Sequence, residues 1–354
     1  MSPSGIVHAR TFDELVESER AFDDAVRGSA DLDGFCSGHA FSVAAFAGLL
    51  PGRESRVYEV DGAGWLAFAR RHASLFGDPE PRELWEPYEA MWGLGCPIVG
   101  SDVELLGLAL AEVLHREAPT ATVLCCGLRA GAMRTAAVAA ALSPTHRLLQ
   151  GTTTVRQVAS LEGGEDGFLA RRSSRFRANL RRALRDADAR GLVHERHVPD
   201  EAGVRSLYAR AVSVDDRSWK GLANEGLRGT GLHDFYADML PRLARHGTLR
   251  MHFLVEHTAL GPVDVGYLFG GLAPGNPLAP GSTFRGLQFA FAEGHEQQSL
   301  GNIAQYRAVE SLCAEGVQRY DLGTQVDYKR SWGELTDETL SIIATPRGTR
   351  GPRP

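Results

Sequence analysis

Four stretches of this sequence carry residues whose type and spacing could do chemistry. The first, GFLARRSSRFRANLRRALRDADARG (Gly167 to Gly191), holds eight arginines: Arg171, Arg172, Arg175, Arg177, Arg181, Arg182, Arg185 and Arg190. The only acids within it are Asp186 and Asp188. Guanidinium groups hold phosphate bidentately, so one use for such a segment is a phosphate rail; the other is a solvated helix that spaces two domains. The second stretch, QQSLGN (297–302), opens a helix expected over 301–316. The first turn of a helix offers unpaired N–H groups and the positive end of a dipole, and Gly301 lets the backbone approach a ligand. Gln298, Ser299, Leu300, Gly301 and Asn302 are thus candidates to hold a pyrophosphate; the other reading is a plain strand–helix connection with a glycine in its turn. The third, DDRSWKG (215–221), places Trp219 beside Lys220, and the fourth, VDYKRSWGE (326–334), places Tyr328 beside Lys329. In a chain dominated by arginine, two lysines next to aromatic residues suit an anionic substrate group. Asp264, in the apolar run PVDVGYLFG, is an acid that needs a partner if buried, and so a candidate proton acceptor. Asp321 is either a second acceptor or a strand-end cap.

The elements that must position these residues emerge from periodicity. TFDELVESERAFDDAVR (11–27) reads as an amphipathic helix with a Thr11/Glu14 capping box. Strands are expected at 55–60 and 64–70 across an Asp61-Gly62 turn. A Pro-, Gly- and Trp-rich loop comes next (78–101), then a helix (102–116), a strand (121–128), a helix (130–142) and a strand (146–161). Read as one helix, the arginine segment puts Leu169, Phe176, Leu180, Leu184 and Ala187 on one side and Arg171, Arg175, Arg182 and Arg185 on the other. Beyond it come a strand (193–198), two helices (201–213 and 233–247), a hairpin (249–272), a strand (283–294), the helix 301–316, and strands at 317–324 and 338–346. GGLAPG (270–275) reads as a turn, and the tail TRGPRP as frayed. The two halves share a helix-strand-strand-helix-strand order, which suggests a duplicated fold.

Composition narrows the class. A formal net charge of -6 over 354 residues excludes bulk nucleic-acid binding, so any polyanion contact must be local. Five cysteines without metal spacing indicate neither a disulfide framework nor a zinc site; adjacent Cys125 and Cys126 read as buried strand residues. No apolar segment is long enough to span a bilayer and the first residues lack a signal-peptide core, so a cytoplasmic protein, monomer or weak dimer, is expected.

Four pieces in order resemble the GNAT (Gcn5-related N-acetyltransferase) superfamily, and within it the CelD/FemAB-like branch with two such folds in tandem. They are SSRFRANLRRALRDADARG, SWKG (218–221), SLGNIAQYRAVESLCAEGVQRYDLGT (299–324) and YKRSWG (328–333). The resemblance covers roughly 160–345. It implies an α/β (α+β) fold of two GNAT-like domains, each a mixed, largely antiparallel sheet flanked by helices. The N-terminal domain would span 1–160, a basic linker helix 161–191 and the C-terminal domain 192–347. Gln298 and Gly301 fit the superfamily's phosphate loop, whereas Ile303 stands where a small residue is usual. The implied activity is transfer of an acyl, chiefly acetyl, group from acyl-CoA to the amine of a small molecule. Tyr328 would be the general acid for the leaving thiolate, and Asp264 or Asp321 the acceptor of the amine proton. Trp219, Lys220, Lys329, Arg171, Arg175 and Arg182 would line the substrate side. No permanently bound cofactor is expected, with acyl-CoA as co-substrate. An aminoacyl-tRNA docked on the arginine helix is the alternative donor, and a non-catalytic binding protein the third reading.

Overall fold

The computed structural model describes residues 6–75, 80–273, 282–295 and 298–348. Gln297, Pro274, Gly275 and the tail from 349 onward lie outside these residues. The chain forms two compact units, residues 1–154 with 338–354, and residues 155–337.

The first unit contains β1 (Val7–Arg10), α1 (Phe12–Glu17), α2 (Glu19–Arg27), α3 (His39–Leu49), β2 (Glu54–Val60), β3 (Gly64–Ala73), β4 (Arg82–Pro87), β5 (Ile98–Gly100), α4 (Val103–Glu117), β6 (Thr122–Leu128) and α5 (Met133–Leu142). It also holds the start of β7 (His146–Ser160). The Thr11/Glu14 capping box forms as the sequence predicts and starts α1. In the expected loop 78–101 lie two strands: β4, which pairs with β3, and short β5, which pairs with β3 near its start. Neighbouring strands are antiparallel except β4 and β6, which run parallel and pair only at Leu84–Thr122 and Trp85–Val123. The apolar face of α4 buries Leu106, Leu110, Val113 and Leu114.

The second unit contains the end of β7 and then α6 (Gly164–Ala170), α7 (Ser174–Ala189), β8 (Val193–His197), α8 (Val204–Asp216), α9 (Trp219–Leu222), α10 (Leu232–Arg245), β9 (Leu249–Thr258), β10 (Gly261–Leu272), β11 (Thr283–Phe291), α11 (Leu300–Ala314) and β12 (Arg319–Thr324). A 3₁₀ turn, Asp327–Ser331, leads to β13 (Leu335–Pro346). The sheet order is β7-β12-β11-β10-β9-β8, antiparallel except where β11 meets β12. Its core gathers Phe168, Leu180, Leu268, Phe284, Tyr306, Val309, Tyr320 and Trp332.

Two boundaries differ from those read off the sequence. The arginine segment is not one helix: it breaks at Arg171–Ser173, and Ser173 starts α7 by accepting a hydrogen bond from the Phe176 N–H at 3.1 Å. Nor is it a free-standing linker, because Leu180 of α7 is buried in the core of the second unit and Ala187 in an adjoining apolar cluster there. Residues 338–346 belong with the first unit rather than with 192–347, since Leu340, Ile342, Ile343 and Ala344 pair antiparallel with β6.

Candidate active site

In the second unit β11 and β12 run parallel for three residues, Thr283–Arg285 against Arg319–Asp321, and then part. A register shift at Phe269/Gly270 marks the parting: Phe269 faces Gln288 and Gly270 faces Gly286, leaving Leu287 as the extra residue of a bulge. Gly286 is small for a reason, as a Cβ there would lie 2.9 Å from the Tyr320 ring. The parting opens a cleft of about 130 Å³ lined by Gly286, Leu287, Gln288, Phe289, Gln305, Tyr320, Tyr328, Lys220 and Lys329, with Leu268 and Leu322.

The two lysine motifs are built to reach this cleft. Ser218 bridges to Ala292 beyond the end of β11 and caps α9, so SWKG turns back along the strand. Gly221 is required there because a Cβ would sit 2.2 Å from the Asp215 carbonyl oxygen. Buried Asp215 anchors the same loop, accepting hydrogen bonds from the Leu227 N–H at 2.6 Å and the Tyr267 hydroxyl at 2.9 Å. In YKRSWG, Trp332 is buried against Phe168 and Phe176, and a Cβ on Gly333 would lie 2.6 Å from the Val158 carbonyl oxygen. These two residues pin the 3₁₀ turn, and Tyr328 packs on Phe289 rather than on Trp332.

Burial tunes the cleft's titratable groups. It lowers Lys329 to about 8; Asp321 opposes the shift, while Arg285 and Lys220 add to it. It also lowers Lys220, against the pull of Asp215. The Tyr328 hydroxyl is pushed up to about 12, so at neutral pH it is a proton carrier held in its protonated form. Lys220 donates to the Phe289 carbonyl at 3.3 Å and Lys329 to the Thr324 carbonyl at 3.0 Å.

A groove of about 280 Å³ is lined by Ser173, Arg175, Phe176, Asn179, Leu180, Asn302 and Ser331. Two elements serve both spaces: α11 gives Asn302 to the groove and Gln305 to the cleft, and the 3₁₀ turn gives Ser331 to one and Tyr328 and Lys329 to the other. The N-cap of α11 is Ser299, in the left-handed region at φ 57°, and no side chain caps the helix. Leu300 is buried, Gly301 lies over the rings of Phe289 and Phe291, and Gln298 accepts a hydrogen bond from Arg190. Ile303, the departure from the family pattern, is buried in an apolar cluster with Leu254, Val265 and Ala304.

The arginines divide into two sets. Arg171 and Arg172 pair with Glu334 at 3.1 and 2.6 Å, Arg177 donates to the Leu169 and Arg172 carbonyls, and Arg190 pairs with Glu256. Arg171 is thus a structural residue of the second unit rather than part of the substrate side. Arg175, Arg181, Arg182 and Arg185 are exposed and have no ion-pair or hydrogen-bond partner among the described residues. At 100° per residue they fall within about 120° of arc on α7.

Three expected residues lie elsewhere. Asp264 is held bidentately by Arg210, at 2.7 and 2.9 Å, and does not line the cleft. Asp321 is buried between Arg156 at 2.7 Å and Arg285 at 3.0 Å and accepts the Gly323 N–H, so it is a structural anion. Trp219 is exposed next to Lys220 but does not line the cleft. Sequence reasoning missed Gly286, Gln288, Phe289, Gln305 and Tyr320 in the cleft and Asn179 and Ser331 in the groove. The one available signal was the FRGLQF pattern, a glycine interrupting a strand. Among the described residues no cluster of His, Cys, Asp and Glu could hold a metal ion.

Residues 174–330 match the acetyltransferase (GNAT) domain family, so this stretch of the chain is a GNAT domain. The chain's fold is also that of several solved structures. FemX aligns with TM-score 0.61 at 12% identity, covering 95% of this chain and 96% of its own. A Bacteroides thetaiotaomicron protein of unknown function aligns with TM-score 0.58 at 12% identity over 93% and 97% of the two chains. The C-terminal domain of a putative lysylphosphatidylglycerol synthetase from Agrobacterium fabrum gives 0.56 at 12% identity over 94% and 92%. No protein of curated function matches the chain in sequence. No helix among the described residues is long and apolar enough to cross a membrane.

Proposed function

We propose that the second unit is an N-acyltransferase that moves an acyl group from acyl-CoA to an amine in the cleft between β11 and β12. The observation that carries this reading is that cleft and groove draw on the same two elements, the 3₁₀ turn and the first turns of α11. The donor's phosphates would lie along the groove, on the α11 N-terminus, Asn302 and Arg175. The thioester would then reach the bulged backbone at 286–289, whose N–H groups on the cleft side would polarise the carbonyl. The acceptor nitrogen attacks the carbonyl carbon, a C–N bond forms and the C–S bond breaks. Tyr328 gives its hydroxyl proton to the departing thiolate, and the proton lost by the amine returns to the tyrosinate directly or through water. No carboxylate or imidazole lines the cleft among the described residues, so the acceptor reacts as the free amine.

The test is binding of acetyl-CoA to the purified chain together with thiol release in the presence of amines. Saturable binding of one donor per chain with amine-dependent release is the expected result. Failure to bind acetyl-CoA at millimolar concentration defeats the reading. A second donor, aminoacyl-tRNA, is favoured by the exposed stripe Arg175, Arg181, Arg182 and Arg185, a run of unpaired cations of the kind that contacts a phosphate backbone. Binding of aminoacylated tRNA that weakens steeply with salt would select it.

A further inference from the structure

The chemistry of the cleft also specifies its substrate, given that acyl-transfer reading. Two ammonium groups, Lys220 and Lys329, line one small space, and each lowers its own cost of burial by donating to a single backbone carbonyl. An ammonium has three donors, so each lysine keeps two for a ligand. Their charges are close enough for Lys220 to oppose protonation of Lys329. Neither lysine forms an ion pair with an acid among the described residues. Asp321 is taken by Arg156 and Arg285, and Asp215 by the Tyr267 hydroxyl and the Leu227 N–H. The remaining polar lining is two amides, Gln288 and Gln305, and two phenols, of which Tyr320 donates a hydrogen bond to the Gln305 side-chain oxygen. A pair of partly buried cations without a carboxylate of their own is a site for an anion, because a bound anion offsets the desolvation of both.

We propose that the cleft selects an amine that also carries a carboxylate, with the carboxylate held between Lys220 and Lys329 and the amine turned toward the bulge at Leu287. The space is too small for a nucleotide and suits an amino acid or the end of a short peptide. The carboxylate also orients the nucleophile: with one end fixed by two charges, the amine has few directions left, and Tyr328 lies beside it. Lys220 and Lys329 would thus set specificity and position without exchanging protons themselves.

The experiment uses the full chain, an equimolar mixture of L-amino acids and a matched mixture of their amides. Thiol release from acetyl-CoA reports transfer, and saturation-transfer NMR of the same mixtures without donor reports binding. The acids are expected to bind, and to react with kcat/KM at least tenfold above the amides. Lys220→Met and Lys329→Met should each erase that preference, with Lys220→Arg and Lys329→Arg, which keep the charge, restoring part of it and controlling for folding. Equal binding of acids and amides by the unaltered chain, or a preference that survives both methionine variants, overturns the proposal. Acid-selective binding that the methionine variants lose, with no thiol release from any mixture, upholds the anion site while defeating the acyl-CoA reading.

Discussion

Each unit of this chain contains a pair of parallel strands that part after two or three residues, β4 with β6 in the first and β11 with β12 in the second. Beyond the parting the two units diverge. In the first unit the chain itself occupies the place: the Gly93 carbonyl accepts the Gly127 N–H beside β6, and a Cβ on Gly127 would lie 2.6 Å from the Leu94 carbonyl oxygen. The same loop wraps the buried carboxylate of Glu89, which accepts the N–H groups of Trp92, Gly93, Leu94 and Gly95. The helix between the two parting strands, α4, is capped by Asp102, whose carboxylate accepts the Leu105 N–H at 3.0 Å. In the second unit the cleft is lined by two lysines and α11 has no side-chain cap. One frame has its anion and its filler built in; the other has neither among the described residues.

That contrast can be broken at several points. Tyr328→Phe removes the proposed proton donor of the second unit's cleft and should lower kcat about 100-fold with donor affinity unchanged, measured by steady-state thiol release and by calorimetric titration with acetyl-CoA. Ser299→Asp gives α11 the carboxylate that α4 already has. A residue at φ 57° tolerates aspartate, so the fold should survive, while the donor's Kd rises about tenfold through charge repulsion at the phosphate end. The pH dependence sharpens the role of the lysines. Lys329, lowered by burial to about 8, is charged below that pH and neutral above it, so its hold on a carboxylate is complete well below that value and fades as pH rises through it. The KM for a carboxylate-bearing acceptor should climb several-fold between about pH 7.5 and about pH 9, and Lys329→Arg should flatten the climb. Glu89→Gln has the smallest expected effect on activity. It should cost about 1–3 kcal/mol in urea unfolding of the first unit, because four N–H groups lose a charged acceptor, and leave acetyl-CoA affinity unchanged.

Much of the scaffold was legible in the sequence because local rules decide it. The Thr11 cap, the hairpin turning at Thr258–Gly261, and the helices α4, α5, α10 and α11 all come from periodicity and turn chemistry. Helix α3 was not legible: HAFSVAAFAGL is apolar nearly all round and shows no amphipathic period. Strand β4 was hidden among Pro, Gly and Trp residues, and its parallel partners, Thr122 and Val123, lie beyond a whole intervening helix. Lys220, Lys329 and Tyr328 come together at the cleft because each sits in a short motif whose neighbours fix it. Asp264 was misread because an acid in an apolar strand implies a partner without naming it. The partner, Arg210, comes from another element, 54 residues earlier. Asp321 was misread in the same way: nothing local reveals that Arg156 and Arg285 converge on it.

The path of the chain also sets an order of assembly. Residues 155–337 form one continuous unit, whereas the other is made of two pieces, 1–154 and 338–354. During synthesis from the N-terminus, all of the segment carrying the cleft leaves the ribosome before the strand that pairs with β6 exists. Until residues 340–344 emerge, β6 keeps an open edge of backbone groups and apolar side chains, including those of Cys125 and Val123. The half that appears first is therefore the half that finishes last. Ending the chain before residue 338 would strand it with that edge exposed, while the later-made unit would have all its own strands.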